Sequence, residues 1–150
     1  MCGGAAMQMI DEGSLLAKLD QVPEKASLNP KYAHVGASMI IHKQTLASGR
    51  WFRFTLMEQL ANVGTDVDRA ARYKKQGYLE HSQQALFRAL ELIDFTVMDP
   101  KNKKRLKEIL RARECLVDFF MYDNEYGTSY EFWYNYFYQF NYAAAIQKGR

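Results

Sequence analysis

The chain of 150 residues has two cysteines, Cys2 and Cys115, and three histidines. Two cysteines supply neither a disulfide scaffold nor a four-ligand zinc site. The sequence contains no Glu-x-x-His, the spacing by which helical bundles hold metal ions between inward carboxylates and imidazoles. None of His34, His42 and His81 has an arginine four to six residues ahead of it, the spacing of the helical HEPN ribonucleases. Cys115 adjoins Leu116, and no base lies at a spacing that would activate it. The expectation is therefore a protein without catalytic residues, metal or cofactor.

Long apolar runs are missing as well. Mean hydropathy is −0.39, and no stretch approaches the 18 or so apolar residues of a membrane span, so a membrane role is not expected. The first residues lack the basic start and apolar run of a secretory signal, and a cytoplasmic location is expected. What is present suits one packed domain: 48% hydrophobic residues, and 25% charged residues of both signs with a formal net charge of +3.

The chain divides into two regions. Residues 1–38 hold Gly3, Gly4, Gly13, Pro23, Pro30 and Gly36, with three lysines against four acids and one aromatic, Tyr32. They read as a loosely ordered extension, with residues 39–150 as the folded unit. In that unit Leu56, Leu60, Val63, Val67 and Ala70 fall on one face of a 3.6-residue period. Thr55 and Glu58 form a capping-box signature, so helix one is expected from about Thr55 to Lys75. Gly77 suits the left-handed position that closes it.

Helix two is expected from Leu79 to Met98, burying Leu79, Leu86, Leu90, Ile93 and Val97. Asp99-Pro100 reads as an N-cap and a first-position proline, opening helix three with Leu106, Ile109, Leu110, Leu116, Val117 and Phe120 inside. The loop Asp123–Gly127 ends it. Thr128 with Glu131 suggests a second capping box, from which helix four runs to about Gln147. Four helices of about 20 residues, each roughly 30 Å long and joined by short loops, imply an all-α, up-down-up-down antiparallel four-helix bundle.

Folding that topology on paper separates the charges. One end collects Arg50, Arg53, Lys101, Lys103, Lys104, Arg105, Lys107, Lys148 and Arg150 against Glu58, Asp94, Asp99 and Glu108. The other end has six cations, Arg111 and Arg113 among them, against eight acids. Cations in the first turn of a helix oppose its macrodipole, so Lys101-Asn-Lys-Lys-Arg105 does not serve stability. A solvated face is one reading of these residues. The functional reading is contact with the phosphates of RNA or DNA by Arg50, Arg53, Lys101, Lys103, Lys104, Arg105, Lys107 and Lys148.

Thirteen of the 21 aromatic residues lie between Phe119 and Tyr142. Phe132, Trp133, Tyr136, Phe137 and Phe140 form a stripe suited to the core. Tyr130, Tyr134, Tyr138 and Tyr142 repeat at four-residue spacing on a second stripe that one bundle cannot also bury. Either residues 1–54 cover it, or it forms an oligomer or partner interface, where tyrosine is favoured. Stacking of bases on these rings is a third reading.

In Glu58-Gln-Leu-Ala-Asn-Val-Gly64, Arg88-Ala-Leu-Glu-Leu92, Arg105-Leu-Lys-Glu-Ile109 and Asp123-Asn-Glu-Tyr126 the chain resembles a family of small bacterial four-helix proteins. More distantly it is similar to proteins encoded by intervening sequences of 23S rRNA genes and to accessory variability proteins of diversity-generating retroelements. The resemblance covers about 110 residues and carries no catalytic motif. It implies a basic, self-associating bundle that binds nucleic acid and has a reverse transcriptase as partner. The two functional expectations are an accessory nucleic-acid-binding bundle and a homo-oligomeric protein-interaction module using the tyrosine face.

Overall fold

The computed structural model describes residues 49–147. Among them there are four α-helices and no strands: α1 Leu56–Lys75, α2 Leu79–Met98, α3 Leu106–Met121 and α4 Tyr130–Gln147. The extension expected at 1–38, the residues 39–48 and the last three residues lie outside the described part.

The boundaries follow from local chemistry. Thr55 Oγ1 accepts from the Glu58 N–H at 3.2 Å and Glu58 Oε1 accepts from the Thr55 N–H at 2.9 Å, so the capping box opens α1 as expected. At its other end Gly77 takes φ +85°. The Tyr78 N–H then reaches the Tyr73 carbonyl and the Gly77 N–H the Lys74 carbonyl, which is the Schellman closure. Two expectations are corrected. Asp99 and Pro100 open a separate 3-10 turn, Pro100–Arg105, before α3 begins at Leu106. Helix α4 is capped by Ser129, whose Oγ accepts from the Phe132 N–H at 3.0 Å; Thr128 is buried, and its hydroxyl takes the Trp133 indole N–H at 3.0 Å. A Thr128–Glu131 capping box does not form because Thr128 is spent on that indole.

Hydrogen bonds between helix ends establish the alternating direction. Thr55 Oγ1 donates to Gln147 Oε1 at 3.0 Å, joining the start of α1 to the end of α4. At the other end Lys74 donates to the Phe119 carbonyl at 3.2 Å, joining the end of α1 to the end of α3. Helix α1 is the central element, packed closely along both α2 and α4, while α3 leans on α2. The closeness of α1 to α4 comes from Gly64: a Cβ there would stand 2.6 Å from the Cβ of Phe137.

The shared core includes Leu60, Val63, Val67, Leu86, Leu90, Ile93, Ile109, Leu116, Val117, Trp133, Phe137 and Phe140. Leu56, Val97, Phe120 and Phe132 pack partly buried against it. Leu79 departs from its expected place inside and is 65% exposed. As the first residue of α2 it stands at the rim of the bundle's end, beyond the last residue of α1 at Lys75.

Candidate functional site

The basic end rests on a buried polar network. Gln59, on α1, donates to Asp99 Oδ2 at 2.8 Å and to the Trp51 carbonyl at 3.1 Å. Asn102, inside the 3-10 turn, donates to Gln59 Oε1 at 2.8 Å and to the Thr96 carbonyl at 2.9 Å. The Trp51 indole N–H reaches Thr96 Oγ1 at 3.2 Å. These bonds fix the short 3-10 segment Arg50–Arg53 and the turn Pro100–Arg105 across the ends of α1 and α2. Burial alone would raise the Asp99 carboxyl, but hydrogen bonds from Lys101 and Gln59 outweigh it and hold the group below its ordinary value.

The expected contact residues do not all present their charge outward in the same way. Arg50, Arg53, Lys103, Lys104 and Lys107 are exposed. Lys101 is committed inward: its ammonium pairs with Asp99 and also donates to the Phe52 carbonyl at 3.0 Å. Arg105 is half-buried at the junction of the 3-10 turn with α3. Lys148 lies outside the described residues. The acids of this end are largely engaged within the fold. Glu58 closes the capping box, Asp99 is bonded to Lys101 and Gln59, and Asp94 is paired with Arg113 at 2.8 Å. Arg113, expected at the opposite end, is instead buried midway along α3 against that carboxylate. Glu108 is half-buried.

At the far end it is the cations that are engaged. Lys74 donates to the last carbonyls of α3 and stands 5.1 Å from the Phe119 ring centre, and burial pushes its ammonium below its ordinary value. Lys75 sits 4.7 Å above the Tyr130 ring, and Arg72 pairs with Asp68 at 3.3 Å. The buried Asp118 carboxylate accepts the N–H groups of Glu125 and Tyr126, both at 3.0 Å, and so holds the loop between α3 and α4. The Tyr126 hydroxyl donates to buried Glu114.

The tyrosine stripe splits. Tyr130 and Tyr142 are half-buried; Tyr130 packs edge-on to Phe119, and burial pushes its phenol up. Tyr134 and Tyr138 are 58% and 47% exposed, their rings nearly parallel with centres 5.9 Å apart. They stand beside a groove of about 610 Å³ along the α1–α4 seam, floored by Ala61, Gly64 and Ala71. Reading the sequence alone missed this groove, because its floor exists only once α1 and α4 are known to be neighbours. The small residues Ala61, Gly64 and Ala71 were its one signal.

No group of three or more histidine, cysteine or acidic side chains placed to hold a metal ion occurs among the described residues. His81 is exposed against the rings of Tyr73 and Tyr78, and Cys115 is buried in the core. No described helix is long and apolar enough to cross a membrane. No family model, curated protein or solved structure matches the chain.

Proposed function

We propose that this bundle is a non-catalytic accessory protein that binds RNA or single-stranded DNA through its basic end. The reverse transcriptase implied by the resemblance is its proposed protein partner. The supporting observation is one of compensation. Arg53, Lys103, Lys104 and Lys107 are exposed on one end, while Asp99 is buried and half-buried Glu58 and Asp94 are bonded to the α1 cap and to Arg113. The surplus positive charge lies around the 3-10 turn and the start of α3, where the helix dipole already favours an anion. A phosphate chain supplies that anion without any pocket.

The test is fluorescence anisotropy of labelled RNA and DNA oligonucleotides across a salt series. Lys103→Glu, Lys104→Glu and Lys107→Glu together are expected to weaken binding at least about tenfold, the loss of roughly 1.4 kcal/mol. On a single strand the salt slope should become shallower by about 0.7 for each phosphate that the variant no longer neutralises. Unchanged binding in this variant removes the proposed site.

A second reading is supported by Tyr134 and Tyr138 beside the α1–α4 groove: a module that pairs with itself through this face and has no nucleic-acid role. It predicts association that persists in high salt and is lost in the Tyr134→Ala, Tyr138→Ala double variant.

A further inference from the structure

The two ends of the bundle differ in apolar relief as well as in charge. At the far end Leu79 opens α2 fully in view, and Met121, which closes α3, is 37% exposed. With Leu86, Phe120, Ser82, Gln83 and Lys74 they line a hollow of about 210 Å³. Exposed Glu80 and Asp123 follow closely in the chain, one on each side of it. Lys74 donates to the Phe119 carbonyl, exposed Lys75 lies over Tyr130 and exposed Arg72 pairs with Asp68; none of the three pairs with those two carboxylates.

The basic end shows the inverse pattern. Met98, which closes α2, is 58% exposed, and exposed Lys103, Lys104 and Lys107 follow it in the 3-10 turn and the first turn of α3. Both surfaces belong to the α2–α3 side of the bundle, one at each end. Translating one copy along the bundle axis therefore sets the methionine and lysines of one molecule against the hollow and carboxylates of the next.

We propose a head-to-tail contact between copies of this chain. Met98 of one copy enters the hollow between Leu79 and Met121 of another, and Lys103, Lys104 and Lys107 face Glu80 and Asp123. Such a contact is heterologous: the pair retains one unused end of each sign, so growth continues unless the rotation between copies closes a ring. Opposed charge orients the encounter, and salt weakens it. The same lysines serve the proposed nucleic-acid contact, so bound oligonucleotide caps the growing assembly; this last point alone rests on that proposal.

The experiment is sedimentation velocity on the full chain at about 0.05 M and about 0.5 M salt, which brackets strong and weak screening. Wild type is expected well above 17.4 kDa at low salt, rising with concentration, and near 17.4 kDa at high salt. A basic-end variant carries Lys103→Glu, Lys104→Glu and Lys107→Glu; an acidic-end variant carries Glu80→Lys and Asp123→Lys. Each alone is expected to stay at the single-chain mass, and their equimolar mixture to associate again, because each supplies the end that the other lacks. Matching helical circular dichroism shows that both remain folded, and Met98→Asp at its exposed position should weaken wild-type association about tenfold.

A wild type that is monomeric at low salt overturns the proposal. So does a mixture that stays monomeric while wild type assembles. The acidic-end variant keeps every basic residue, so its oligonucleotide binding should be at least as tight as that of wild type. Failure of nucleic-acid binding and failure of assembly are thus read by separate measurements.

Discussion

At the residue scale, the most consequential groups are polar ones buried where periodicity expects nothing in particular. Gln59, Asp99 and Asn102 hold three chain segments together through bonds of 2.8 to 3.1 Å. The pair Asp99-Pro100 signals a helix start in the sequence, and in the fold it opens a 3-10 turn. Gln59 carries no signature at all in a helical period. A buried amide is legible only when its partners are known, and these come from positions about 40 residues away. The Asp99 carboxyl is held below the ordinary value of about 3.9 by bonds made in the folded state. Its contribution to stability is therefore present above the unfolded value and lost as pH falls through the lower folded value. In urea denaturation Asp99→Asn should be less stable than wild type at neutral pH, with the difference shrinking below about pH 4 as the wild-type carboxyl protonates.

At the scale of elements, the start and end of α1 were readable because Thr55, Glu58 and Gly77 act through bonds within one turn. The start of α4 was displaced by one residue, since Ser129 caps and Thr128 answers a tryptophan that the local pattern cannot see. Ser129→Ala should cost about 1 kcal/mol in chemical denaturation, the usual worth of an N-cap. Gly64 is decided by packing. Alanine would favour an isolated helix by up to about 1 kcal/mol, but its methyl would meet the Cβ of Phe137, which has no freedom to withdraw. Gly64→Ala is expected to destabilise the bundle by about 1–3 kcal/mol, the range for overfilling a packed interior. A thermal midpoint at or above that of wild type would show that α1 and α4 separate easily.

At the scale of the whole molecule, the sequence disclosed the bundle and the gross separation of charge, because short loops force alternating helices and helices place their ends predictably. It did not disclose which charges remain exposed. Counting alone gave the opposite end a mild negative excess. In the structure Asp99 is buried and Asp94 pairs with Arg113 at the basic end, while at the other Lys74 is drawn against α3 and exposed Lys75 and Arg72 lie over Tyr130 and on Asp68. Raising the salt should weaken nucleic-acid binding and head-to-tail assembly together, while leaving any pairing through Tyr134 and Tyr138 in place. A salt series on wild type, read by sedimentation, orders these surfaces by their dependence on charge.

The two tryptophans have a use that follows from where they sit. Trp51 is buried at the end that carries the lysines, and Trp133 in the second turn of α4 near the other; each indole N–H is held by a threonine hydroxyl. Together they make the molecule its own pair of optical gauges, one for each end. Trp51→Phe and Trp133→Phe would leave a single emitter in each variant, reporting solvent entry at one end alone. Emission curves that coincide during denaturation would mean the bundle opens all at once; curves that separate would identify the end that loosens first.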